Sequence, residues 1–290
     1  MTLREYIKLA VKNKTAIGHF NACTIDGVWA IADAAREIDL PVIVGVSEGE
    51  RDYLGVRQIA AVIKSIRAER DQPIFLNADH TYSFERVKEA VDAGFDAVIF
   101  DGAQSLLDEN IAMTKKCVDY ARSLSKAQSR DILVEGELGF IGKSSKVLDE
   151  IPAEAVVGEK NMTKDEDAVK FIRETGVDIL APAVGNIHGI IRGGDPALNI
   201  ERIESISKAV QIPLVLHGAS GNTADEIQKA IKAGIAIVHV NTELRLAYRA
   251  GLMKSLSDDC EEISPYKYLK PAKLAMQKVV EEKLKIFGKL

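Results

Sequence analysis

The sequence is poor in cysteine: three occur in 290 residues, and Cys23, Cys117 and Cys260 stand far apart with no C-x-x-C spacing. That argues against a disulfide framework and against a thiolate zinc site, and makes a reducing cytoplasm the expected compartment. No apolar run approaches the roughly 18 residues that a membrane helix requires; the longest are strand-sized, such as GIAIVHV at 234–240. The first residues, MTLREYIKLAVKNK, carry charges every few positions, so no targeting segment is read there. Positive charge is also in deficit. With 38 Lys and Arg against 43 Asp and Glu, the formal net charge is -5, and no overall field exists to gather nucleic acid or an anionic membrane. Any anionic ligand must therefore be held locally. A glycine-rich dinucleotide fingerprint is missing from the first strand-like run, TAIGHFNACTIDG, which weighs against an open doubly wound sheet.

What the sequence does have is apolar bulk in a regular order. Hydrophobic residues make up 47% of the chain, enough to bury a full core, and the length suits one α/β barrel, although length alone leaves two smaller domains open. Eight strand-sized apolar runs lack strict alternation, the mark of a parallel sheet covered on both faces. They fall at 15–22, 40–47, 72–79, 93–102, 131–139, 175–185, 212–220 and 233–242. Between them lie helical patterns such as SFERVKEAVDA at 83–93 and TADEIQKAIKA at 223–233, each opened by a polar capping residue. Strict alternation of eight β–α units predicts a closed (β/α)₈ TIM barrel, and the absence of a linker or composition break predicts a single domain over 1–290 with extra terminal helices. The longest non-periodic piece, 140–162, is expected to be a βα loop and a candidate lid. Apolar residues at helical spacing after Pro271, including Leu274, Val279 and Leu284, predict a terminal helix packed on the barrel or on a second subunit.

Chemistry in such a barrel lies at the carboxyl ends of the strands. The polar residues expected there are Asn21, Ser47, Asp79, His80, Asp101, Glu135, Glu137, Asn186, His188, His217, Ser220, His239 and Asn241. No lysine is among them, which counts against an imine mechanism for breaking a bond beta to a carbonyl and leaves a metal to polarise that carbonyl. His80, His188 and His217 each follow an apolar run, and three neutral imidazoles with one open position make a catalytic zinc shell. A strand-end histidine also serves as a hydrogen-bonded structural residue; three of the chain's five at one end of a barrel favour the metal. Asp79 beside His80 can move a proton at a substrate hydroxyl, or it can cap the helix near Ser83 or orient His80. HGASGN at 217–222 and NTE at 241–243 place exposed amides at helix starts after strands seven and eight, a phosphate-binding arrangement.

Six motifs then resemble the class II fructose-bisphosphate aldolase family: ADH at 78–80, FDG at 100–102, EGELG at 135–139, GNIHG at 185–189, LHGASG at 216–221 and NTELR at 241–245. The resemblance runs from about Phe20 to about Ala247. It implies reversible cleavage of fructose 1,6-bisphosphate to dihydroxyacetone phosphate and glyceraldehyde 3-phosphate, with Zn²⁺ or another divalent cation on His80, His188 and His217. Asp79 would exchange the proton of the C4 hydroxyl, and Asp101 and Glu137 would hold an additional or displaced metal. Substrate and phosphate contacts would fall on Asn21, Ser47, Gly189, Gly218, Ser220, Asn241 and Thr242, and backbone near Gly189 and Gly218 could hold a monovalent cation. A homodimer or homotetramer, with no nucleic-acid or membrane partner, is expected.

The chain departs from the family in two places. Where an asparagine steadies the enediolate, it has His239, which shares a strand face with Asn241 and so points into the barrel; it is a candidate catalytic residue or a core histidine. Where the family carries a G-G-x-E-D loop, this chain reads GKSSKVLDE at 142–150, leaving His239, Glu150 and Glu154 as candidate proton carriers. Tagatose 1,6-bisphosphate or another phosphorylated ketose is the alternative substrate. A metal-dependent hydrolase would lack the phosphate segments, and a non-catalytic sugar-phosphate sensor would have lost a ligand or the aspartate.

Overall fold

The computed structural model describes residues 1–142, 145–151 and 162–289. The eight apolar runs form eight strands: β1 (Ile17–Asn21), β2 (Val42–Val46), β3 (Ile74–Thr81), β4 (Ala97–Phe100), β5 (Leu133–Leu138), β6 (Ile179–Pro182), β7 (Leu214–Leu216) and β8 (Ile235–Val240). All neighbours are parallel, and β8 pairs with β1 to close the barrel. Helices connect the strands, giving a (β/α)₈ TIM barrel.

Several strands are shorter than the runs that predict them. The run at 212–220 yields only three strand residues, because Gly218 turns left-handed at φ +65° and Ala219–Gly221 wind into a 3₁₀ turn. The capping readings hold at both helices singled out above. Ser83 accepts from the Arg86 amide at the start of Phe84–Ala93, and Thr223 with Glu226 forms a capping box at Ala224–Ala233. The loop expected over 140–162 lies partly outside the described residues, and so does Glu154. Within its described part, Val147–Leu148 pairs with Ile190–Ile191, tying the loop after β5 to the loop after β6.

The two-residue strand period sorts the barrel interior into layers. At the amino end Ile17, Ile43, Phe75, Leu133, Ile179, Val215 and Ile237 form an apolar plug, covered by Leu3, Ile7 and Ala10 of the helix Leu3–Asn13. Burial of such side chains stabilises by about 1.5–3 kcal/mol each. Two residues further along most of these strands the interior turns polar, with Asn77, Glu135, His217 and His239 all buried. The functional layer therefore rests on an apolar floor that offsets its desolvation.

The terminal helix, Lys270–Gly288, closes the outer ring between Ile25–Ile38 and Thr242–Asp258. It buries Ala272, Met276, Val280, Leu284 and Phe287. Leu274 is exposed, so the face that meets the barrel is offset from the one read at Leu274.

Candidate active site

Adjacent strand residues normally point to opposite faces, yet Asp79 and His80 both enter the site. His80 does so by taking φ +36°, a left-handed conformation unusual for a side chain of its size. The β3–β4 register slips between Ala78 and Thr81 at the same place. Arg51 holds this turn. Fully buried, it donates to the carbonyl oxygens of Val46 (2.7 Å) and Asp79 (3.1 Å) and to Thr81 Oγ1 (3.1 Å). Charge-assisted bonds of this kind contribute about 1.5–3 kcal/mol each, comparable to the strain they oppose. The Asp79 side chain leaves the capping of Phe84–Ala93 to Ser83.

The turn brings His80 against His188 and His217. Nε2 of His80 lies 3.3 Å from Nδ1 of His217. Two imidazole nitrogens bound to one tetrahedral ion at about 2.0–2.1 Å would be separated by about 3.3–3.4 Å. Nε2 of His188 is buried with no partner, and donor atoms of His80, Glu137, His188 and His217 all lie within 4.8 Å of one another. The far nitrogens are already engaged: His217 Nε2 contacts Glu135 at 2.7 Å, and His80 Nδ1 lies 3.0 Å from Asp101 and 3.4 Å from Glu137. Carboxylates behind imidazoles fix tautomer and ring plane in metal sites, so the residues present fit a divalent cation. Asp101 stands behind His80, outside the four-residue donor group.

Asp79 is the free carboxylate beside this cluster. Its Oδ2 accepts from Asn21 at 2.8 Å, while Oδ1 lies 3.6 Å from Nδ1 of His239 and 3.9 Å from Nε2 of His80. Burial pushes the Asp79 carboxyl upward, but His80, His239 and His19 outweigh it and hold the group well below the usual carboxylate range. Burial, reinforced by His19 and His217, drives His239 well below the ordinary histidine value, so its ring is neutral. Asn21 also donates to Glu50 (2.9 Å), which accepts from the Ser47 amide and hydroxyl and from Arg245 (2.7 Å). Ser47 thus lines the site with its hydroxyl already committed to a capping box.

The HGASGN and NTE segments lie together at the carboxyl ends of β7 and β8. Ser220 Oγ faces the amides of Asn241 (3.4 Å) and Glu243 (3.5 Å) at the start of Thr242–Asp258. Gly189, Gly218, Ser220, His239, Asn241 and Thr242 line one small recess. This recess adjoins a cavity of about 780 Å³ bordered by Asp79, His80, His188, Tyr82, Lys146 and Arg245. Glu150 is exposed and lies outside both linings.

Sequence reasoning missed His19, Glu50, Arg51 and Arg245. All five histidines of the chain gather here, and the strand position of His19, two residues before Asn21, was the available signal. Glu50 and Arg51 look like ordinary residues of a helix, and only the fold carries them inward.

A closed parallel barrel with imidazoles, carboxylates and a helix start gathered at the carboxyl ends of its strands is the architecture of a (β/α)₈ enzyme. The sequence profile of the family described as fructose-bisphosphate aldolase class-II matches residues 1–290. The chain belongs to the class II fructose-bisphosphate aldolase family, a family of aldehyde-lyases. It is 35% identical to a fructose-bisphosphate aldolase of Staphylococcus aureus over 99% of this chain and 97% of that one. It is also 35% identical to a 6-phospho-5-dehydro-2-deoxy-D-gluconate aldolase of Bacillus licheniformis, over 99% and 94% of the two chains. Among solved structures, the YdjI aldolase of Escherichia coli K12 superposes with a TM-score of 0.81 at 28% identity, covering 99% of this chain and 98% of that one.

Proposed function

We propose that this aldolase cleaves fructose 1,6-bisphosphate reversibly to dihydroxyacetone phosphate and glyceraldehyde 3-phosphate, with Zn²⁺ or another divalent cation held by His80, His188 and His217. The observation that carries the reading is the 3.3 Å approach of His80 Nε2 to His217 Nδ1 with the Asp79 carboxylate alongside, 3.9 Å from His80 Nε2. When bound, the cation supplies Lewis-acid polarisation of the substrate carbonyl.

The protein's own groups do the rest. Asp79 takes the proton of the C4 hydroxyl as the C3–C4 bond breaks; C4 leaves as an aldehyde and the electron pair stays on the C3 side. His239 faces the developing oxyanion with a buried, unpartnered Nε2, donates a hydrogen bond there, and returns its Nε2 proton to C3 as Nδ1, which faces Asp79 Oδ1 at 3.6 Å, takes one up, so that the ring ends neutral. Amides at the start of Thr242–Asp258, with Ser220 and Gly218, receive the phosphate next to the carbonyl. Lys146 and Arg245, both bordering the larger cavity, give the distal phosphate its cations. Asp101 and Glu137 are positioned to receive an additional or displaced metal, and backbone near Gly189 and Gly218 a monovalent cation. The three free thiols suit a reducing cytoplasm, and the protein acts there as a homodimer or homotetramer.

The Bacillus licheniformis relative supports a second reading, since it is as similar as the fructose-bisphosphate aldolases. The test is release of dihydroxyacetone phosphate from fructose 1,6-bisphosphate, tagatose 1,6-bisphosphate and 6-phospho-5-dehydro-2-deoxy-D-gluconate under identical conditions. Highest kcat/KM on the fructose ester is expected; preference for either other compound would reassign the substrate.

The phosphate recess makes a further expectation. A Cβ at Gly218 would stand 2.0 Å from the Ile187 carbonyl oxygen, and the residue holds φ +65°. Left-handed geometry costs a side chain about 1–2 kcal/mol, and backbone cannot yield as a side-chain tip can. Gly218→Ala should therefore shift the 217–221 segment and raise KM for dihydroxyacetone phosphate about tenfold or more, the equivalent of one lost contact of about 1.4 kcal/mol. Unaltered KM would place the phosphate elsewhere.

A further inference from the structure

We infer that His19 is a positioning residue: it fixes the plane of the His239 ring by stacking, so that a histidine can serve at a position where the family carries a smaller asparagine. The inference rests on the reading of His239 above.

Strand register is the origin of the contact. His19 and His239 are paired residues on β1 and β8, both directed into the barrel. Their rings stack with centroids 3.4 Å apart and planes 2° from parallel. On its other face His239 lies 4.1 Å from the His217 ring at 19°. His239 is thus the middle of three rings, with one neighbour in the metal cluster and the other in the barrel wall.

His19 is itself built in. It is fully buried, its Nε2 lies 3.2 Å from Asn77 Nδ2, and the next strand makes room for it with a glycine. A Cβ at Gly45 would come within 2.0 Å of His19 Cε1 and 2.6 Å of Nε2. The wall is therefore shaped around the ring of His19, and the ring of His239 is held against it. An asparagine has a short side chain that hydrogen bonds can orient, whereas an imidazole presents a broad face that must be supported on both sides if its nitrogens are to keep a fixed direction.

A second metal site is the competing use of these residues, since donor atoms of His19, Asp79 and His239 also lie within 4.8 Å. The ring planes exclude a shared ion. Imidazole binds through a lone pair in its plane, and lone pairs in two parallel planes 3.4 Å apart cannot converge on one cation. Burial also holds His19 down at about 4, so the stack is of neutral rings.

The test is a mutant cycle on the metal-loaded enzyme with His19→Ala, His239→Asn and the double variant, followed by kcat, KM, metal content and the NMR shifts of the His239 ring protons. His19→Ala is expected to lower kcat about tenfold at unchanged KM and metal content, and to remove the ring-current shift of His239. In the His239→Asn background the same substitution should change kcat by less than twofold. His19→Phe, which keeps a flat ring, should retain kcat within about threefold and guards against a folding defect in the alanine variant. Equal losses in both backgrounds, or a His239 spectrum indifferent to His19→Ala, would overturn the inference. If His239→Asn alone left kcat unchanged while the ring-current shift still vanished in His19→Ala, the stack would stand and the catalytic reading of His239 would fall.

Discussion

Dialysis against a strong chelator is expected to abolish triose-phosphate release, and added zinc or cobalt to restore it. The alternative chemistry for this bond cleavage is an imine on a lysine, which borohydride would trap in the presence of substrate. An imine-forming lysine needs a desolvated amine close to the carbonyl. Among the described residues lining the larger cavity the only lysine is Lys146, which is exposed and lies on the loop after β5. The imidazole cluster offers the opposite picture: a buried unpartnered nitrogen on His188 and two nitrogens at ligand spacing, each ring of that pair backed by a carboxylate. The His188 nitrogen has no partner until a cation occupies the cluster. Loss of activity on chelation should therefore be complete, and borohydride should have no effect; trapping of a covalent adduct would overturn the metal assignment. Removing one carboxylate from behind its ring is a milder version of the same experiment. Glu135→Gln should weaken metal affinity about 10–100-fold, the usual effect of losing such a partner, as measured by competition with a chromogenic chelator.

The barrel was legible because its evidence is local and repeated. Apolar runs, capping residues and turn glycines each report on a few neighbouring residues, and eight repeats of the pattern leave one closed topology. The strand ends were less so, since a run such as 212–220 does not reveal that a left-handed glycine ends the strand after three residues. The site divides the same way. His80, His188, His217, Asp79 and the segments around Ser220 and Asn241 announce themselves by residue type at strand ends. Arg51 does not, for its partners are the backbone of β2 and β3 and a threonine on β3, fixed by how a helix after β2 tucks under the next strand. Glu50 shows its capping role in the S-x-x-E spacing, yet its bonds to Asn21 and Arg245 span 29 and 195 residues. His19 depends on a register between the first and last strands that only closure creates. The direction of His80 was unreadable for another reason: alternation sends Asp79 and His80 apart, and a positive φ that overrides alternation leaves no mark in composition.

Replacing Asp79 by asparagine should lower kcat by about a hundredfold or more while leaving metal content and folding intact. The substitution conserves volume, and an amide oxygen can still accept the bond that Asn21 donates, so the floor of the site need not rearrange. Alanine would be a poorer probe, because one N–H of the buried Asn21 amide would lose its acceptor, keeping only the bond to Glu50, at a cost of about 1–3 kcal/mol. What asparagine cannot do is take a proton. The carboxylate stays ionised despite its burial and keeps one oxygen, Oδ1, without a hydrogen-bond partner and so open to a proton; of the other carboxylates nearby, Glu135 is engaged by His217, Asp101 by His80, and Glu50 by Asn21 and Arg245, while Glu137 stands in the donor group around His80, His188 and His217. General-base losses of about 10²–10⁴ correspond to about 2.7–5.4 kcal/mol in the barrier, so even the lower bound is far outside assay error. Position also predicts how the loss divides. On the proposed mechanism Asp79 acts on the C4 hydroxyl and, although it lines the same recess as Gly218 and Ser220, it offers no donor to a phosphate, so KM should change little; and since enolisation of dihydroxyacetone phosphate involves no C4 hydroxyl, exchange of its C3 proton with solvent should survive in Asp79→Asn while cleavage is lost. Near-normal cleavage in that variant would return Asp79 to orienting its neighbours, and joint loss of exchange and metal would make it part of the ligand shell.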